Sequence, residues 1–159
     1  MNSEDRKEAR NYAWNYFSLH SDQRLKGFNF FLILSGLFLG AFPAVKKIAP
    51  NTNLVAFLPL MLALIAFIFW RLDERTRRLV RNAEEAIKHL DNEWTLEDGT
   101  DGEPHCLKLF ARDDFRMETL KRKWWAKTIV PISYTDCFNL AYLIVGGLGF
   151  VLGLWDLVT

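Results

Sequence analysis

Three stretches of this chain carry no charged side chain: Phe28 to Val45, Ile48 to Trp70, and Phe138 to Trp155. Elsewhere Lys, Arg, Asp and Glu are dense. Overall, 50% of residues are hydrophobic, close to a soluble protein, so the distribution decides rather than the total. A helix in a soluble core is amphipathic and shows charge every turn or two on its wet face. Runs without charge suit the interior of a bilayer, which takes roughly 17–25 apolar residues per helix to cross.

Phe28–Val45 and Leu54–Trp70 are both long enough to cross. The segment between them holds Lys46, Lys47, Pro50 and two asparagines and reads as a tight turn, which makes a helical hairpin. The third predicted span runs from about Phe138 to Leu157. A break is expected at Pro131, with Thr135 or Asp136 as the helix cap and Trp155 at a membrane interface. The competing readings are buried core helices for the hairpin and an interfacial or soluble helix for the C-terminal segment. Asn29, Ser35, Asn139 and Tyr142 are the polar candidates within or near the spans.

The expected fold is therefore all-α: an integral membrane protein with three transmembrane helices, a hairpin plus a C-terminal span, and a helical cytosolic extension. Residues 1–27 read as a cytosolic amphipathic helix, 28–70 as the transmembrane hairpin, 71–133 as a cytosolic helical region and 134–159 as the third transmembrane helix. Lys and Arg crowd the N-terminal segment (Arg6, Lys7, Arg10, Arg24, Lys26) and the segment after Trp70. The positive-inside rule then puts both in the cytosol of a multi-pass protein, with the hairpin turn and the C-terminus outside. Met1–Lys26 lacks the apolar stretch and small-residue cleavage site of a signal peptide, so the first span is expected to remain as an anchor.

After the second span, Leu72, Leu79, Ala83, Ile87 and Leu90 recur at helical spacing, with charge on the other face. This stripe needs a partner, either the N-terminal helix or the same helix of a neighbouring subunit. The N-terminal segment reads as a helix with an aromatic face around Trp14, Tyr16 and Phe17. Below it His20, Gln23 and Arg24 form a polar cluster at the membrane surface. The cluster suits a polar binding site or a belt that meets lipid headgroups. Lys121, Arg122, Lys123, Trp124, Trp125 and Lys127 place basic and aromatic groups just inside the third span. They suit anionic lipid, or the phosphates and base of a nucleotide or oligonucleotide signal.

Gly36 and Gly40, and Gly149 and Gly153, have the small-xxx-small spacing that lets membrane helices approach closely. No acidic or basic residue lies mid-span, which argues against a proton relay or an ion-coupled pump. A passive pore built between subunits needs no such group. Cys106 and Cys137 give no disulfide framework. Residues 97–104 lack the spacing of a calcium loop, and His105 beside Cys106 has no second pair for zinc. With no phosphate loop and no nucleophile motif, the sequence points away from an enzyme and calls for no metal or cofactor.

The entry Trp14-Asn15-Tyr16-Phe17 with His20, the hairpin Phe28–Trp70 and the charged extension Arg71–Leu90 together resemble the small bacterial membrane effectors of phage-defence systems, such as the SLATT group. They cover about half the chain, and the third span and Lys121–Lys127 depart from a plain two-span layout. The resemblance implies a channel-like effector of the bacterial inner membrane, gated by a nucleotide signal from a partner enzyme. The function expected is a homo-oligomer that forms or gates a pore. Its rival is a membrane scaffold that recruits a soluble partner protein.

Overall fold

In the computed structural model the described residues are 3–50, 52–93, 103–122 (main chain alone at 120–122) and 133–158. They form four helices: α1 (Ser3–Ile48), α2 (Leu54–Asn92), α3 (Leu109–Arg122) and α4 (Tyr134–Val158). There is no strand among the described residues. α1, α2 and α4 are long and apolar enough to cross a membrane. The basic segment Lys121–Lys127 falls largely outside the described residues; only the helical main chain at 121 and 122 is within them.

α1 is one unbroken helix of 46 residues. The N-terminal amphipathic segment and the first span, which the sequence divides at residue 27, are thus one element. Glu4 and Asp5 stand in its first turn and Lys46 and Lys47 in its last, each sign favoured by the helix dipole. α2 likewise runs from the second span into the charged extension. Pro43 and Pro59 lie inside α1 and α2, and apolar spans tolerate prolines where neighbouring helices support the backbone. The hairpin closes tightly: the Thr52 hydroxyl and amide both donate to the Ala49 carbonyl, at 2.8 and 3.2 Å.

The start of α4 differs from expectation. The cap is Ser133, whose hydroxyl accepts from the Thr135 amide at 3.2 Å while its carbonyl takes the amides of Asp136 and Cys137. Thr135 is thereby left inside the helix, where its hydroxyl accepts from Arg24 instead.

The chain divides into two compact units, one of Met1–Ser21 with Arg78–Ile132 and one of Asp22–Arg77 with Ser133–Thr159. In the first, Val80, Ala83 and Ile87 of α2 are buried, as is Ala13 of α1. Phe17 meets Phe110 of α3 edge-on at 5.3 Å. Arg10 reaches Asp91 at 2.6 Å and Arg6 reaches Glu93 at 3.2 Å. In the second, Phe31, Ala66, Phe138 and Tyr142 form a buried cluster from α1, α2 and α4. Phe28 lies flat on Phe138, with ring centroids 3.9 Å apart. Lipid is as apolar as these side chains, so close packing rather than exclusion of water holds the three helices.

Candidate functional site at the ends and on the flank of the spans

Arg24 of α1 reaches both α2 and α4. Its Nε donates to Asp73 Oδ1 at 2.7 Å, and Nη2 donates to Asp73 Oδ2 at 3.0 Å and to Thr135 Oγ1 at 3.2 Å. The guanidinium also stands 5.0 Å from the centre of the Phe138 ring. The fork of Arg matches a carboxylate bidentately, a geometry that Lys cannot reproduce. Both partners are shielded: the side chains are 13% and 5% exposed. A cavity of about 200 Å³ opens beside the pair, lined by Gln23, Gly27, Leu72 and Thr76 among others.

At the hairpin end a second pair closes the spans, where Lys46 Nζ meets Asp156 Oδ1 at 2.7 Å. Asp156 is the charge that the sequence places at the far end of the third span. Its side chain is 7% exposed, and Lys46 is its counter-ion.

Of the four packing glycines, two pack against another helix among the described residues. A methyl group at Gly149 would stand 2.6 Å from the Pro59 carbonyl oxygen and 3.0 Å from the Ala63 nitrogen, and one at Gly153 would meet Leu60. These glycines let α4 lie against the backbone of α2. Nothing lies within 4 Å of such a group at Gly36 or Gly40. On the flank of the same unit, α2 and α4 leave an apolar groove of about 680 Å³. Its lining includes Ala63, Trp70, Asn139, Gly146, Gly147 and Phe150.

The other sequence candidates are distributed as follows. Gln23 and Arg24 line one cavity, whereas His20 packs edge-on against Tyr16 at 4.3 Å. In the extension, Ala83 and Ile87 are buried within the chain, Leu79 and Leu90 are half-buried, and Leu72 is 53% exposed. The stripe therefore meets its own chain at its centre. Sequence reasoning singles out Arg24 but misses its partner Asp73, and names Thr135 only as a helix cap. The available signal was Asp73 itself, an acid three residues beyond an apolar span and facing the basic entry of another.

In the first unit Asp91 is 3% exposed. Burial pushes its carboxyl above the ordinary carboxylate value, against the opposing pull of Arg10 and Lys108. Glu103 behaves oppositely: hydrogen bonds from Arg112 and Arg116, at 2.7 and 2.8 Å, hold it below its ordinary value.

The chain is 29% identical over 152 residues to the CD-NTase-associated protein 19 of Escherichia coli, covering 92% of this chain and 89% of that protein. No solved structure matches it. The profile of the octameric membrane protein family (8xMP) matches residues 7–155, a range that takes in all three spans and the extension between the second and the third. This chain belongs to the octameric membrane protein family.

Proposed function

We propose that the protein is a homo-oligomeric effector of the bacterial inner membrane that forms or gates a pore in phage defence. The observation that carries the reading is membership of an octameric membrane family by a chain with three spans among its described residues. Three helices that pack on one another leave no path through a single chain, so a pathway must lie between copies. The name of the Escherichia coli relative associates that protein with a CD-NTase, which supports control by a nucleotide signal from a partner enzyme. The resemblance of the N-terminal entry, hairpin and extension to SLATT-type effectors supports the same class. The N-terminus and the extension face the cytosol, where such a signal arises, and Lys121–Lys127 receives either its phosphates or anionic lipid. The protein acts without catalysis of its own.

Purified protein in sealed liposomes tests this. Release of trapped ions or dye, either spontaneous or triggered by the partner enzyme's nucleotide product, is the expected result. Assembled protein that leaves the liposomes sealed with every nucleotide tested would overturn it. A groove of about 490 Å³ in the first unit, bordered by Tyr12, Tyr16 and His89, favours the second reading, a scaffold for a soluble partner. That reading expects sealed liposomes and a stable complex on pull-down.

A further inference from the structure

The groove between α2 and α4 and the bare face of α1 match each other residue by residue. Two contacts fix the register of α1 against α4. Phe28 stacks on Phe138, and Lys46 pairs with Asp156; both pairs are separated by 110 residues. The two helices therefore run in the same direction, and a residue of α1 lies at the depth of the α4 residue 110 positions later.

Asn29, Ile33, Gly36 and Gly40 fall within about 60° of one another on α1, at 3.6 residues per turn. All four are exposed, and they lie on the far side of the helix from buried Phe31. Their counterparts at equal depth are Asn139, Leu143, Gly146 and Phe150, and all four line the groove. The pairing is complementary in shape: Gly36, open on its own chain, would stand opposite Gly146, which already lies close to Ala66 of α2, and the missing side chain of Gly40 leaves room for the Phe150 ring. It is also complementary in chemistry. Neither the Asn29 nor the Asn139 side chain makes a hydrogen bond among the described residues, and an amide at a lipid-facing position seeks a partner on another helix.

We infer that α1 of one copy docks by its Asn29–Ile33–Gly36–Gly40 face into the α2–α4 groove of the next copy, with Asn29 beside Asn139. This rests on the homo-oligomeric reading above and specifies its interface. The occupant is a second copy because rotation about the membrane normal preserves depth, so residues at equal depth in one chain meet across the contact. The two surfaces differ, which makes the contact heterologous. Repeated by a closing rotation, such a contact gives a ring, in keeping with an octameric family.

The test uses the full chain in native membranes, with Cys106→Ser and Cys137→Ser to remove the free thiols. Ile33→Cys combined with Leu143→Cys is expected to give, on mild oxidation, a ladder of cross-linked species reaching eight chains. Each single substitution alone should give none. Gly36→Leu meets open space within its own chain, so the helices should form as before while the solubilised particle falls from ring mass to monomer. If wild-type protein is itself monomeric, the homo-oligomeric reading fails and takes this inference with it. If wild-type protein forms a ring, the double-cysteine chain gives no intermolecular product and Gly36→Leu keeps the ring mass, the inference alone is overturned. The groove then belongs to lipid acyl chains.

Discussion

Replacing Arg24 with Leu while keeping Asp73 strands a carboxylate that is 5% exposed amid three apolar helices. Leaving one member of a buried ion pair without its counter-ion costs about 3–5 kcal/mol. The loss here should lie in that range, because Arg24 supplies both hydrogen bonds to Asp73 that fix the pair. For a chain of this size each kcal/mol moves the midpoint by about 2–4 °C, so Arg24→Leu should lower the melting temperature by on the order of 10 °C. Arg24→Leu with Asp73→Leu removes both charges and should recover most of that loss, since apolar replacement of a whole buried pair is close to neutral. Arg24→Lys keeps the charge without the fork and should fall between. The assay is thermal unfolding in mild detergent followed by tryptophan fluorescence. Protein concentration must be held constant, because assembly links stability to concentration. Effects of the two single changes that simply add in the double variant would refute the argument, as would a loss below about 1 kcal/mol for Arg24→Leu.

Gly149→Ala sets a methyl group against the α2 backbone and should cost about 1–3 kcal/mol by overpacking, whereas Gly40→Ala should leave the fold of the single chain unchanged; thermal melts of the two compare them. Ile87→Ala opens a cavity at a buried site and should destabilise the first unit by about 2–5 kcal/mol, seen as faster amide hydrogen exchange in α2 beyond residue 78. Asp91 is raised from its ordinary 3.8 by burial, so its contribution is fully present below that value and is lost as pH rises through the folded value. Asp91→Asn should flatten the stability profile just above pH 3.8. Glu103, lowered from 4.5, acts with the opposite sign. Its contribution is present above 4.5 and lost as pH falls through the folded value, and Glu103→Gln should remove that acid-side loss in the same titration.

The spans were legible because the bilayer imposes one rule along the whole helix, no charge at mid-depth, and residues 28–45 and 138–155 obey it visibly. The extension was legible because its apolar spacing is helical, and Val80, Ala83 and Ile87 are buried as that spacing requires. What the stripe packs against was left open, since periodicity shows a face but not what covers it. Partners distant in sequence were harder still. Arg24 and Asp73 are 49 residues apart, and no local pattern couples them. The same limit hid the difference between the glycine pairs. All four share one spacing, yet among the described residues only Gly149 and Gly153 touch another helix.

The charges at the ends of the spans carry an electrical consequence. Arg24 is neutralised by Asp73 at one end and Lys46 by Asp156 at the other, and nothing between residues 28 and 45 or 138 and 155 is charged. The membrane potential does work only on charge that moves through it, about 2.3 kcal/mol per elementary charge per 100 mV. A rearrangement that keeps both pairs intact moves almost no net charge across the field. On the pore reading, opening would therefore have almost no voltage sensitivity, and the current in a planar bilayer would follow the triggering molecule rather than the holding potential.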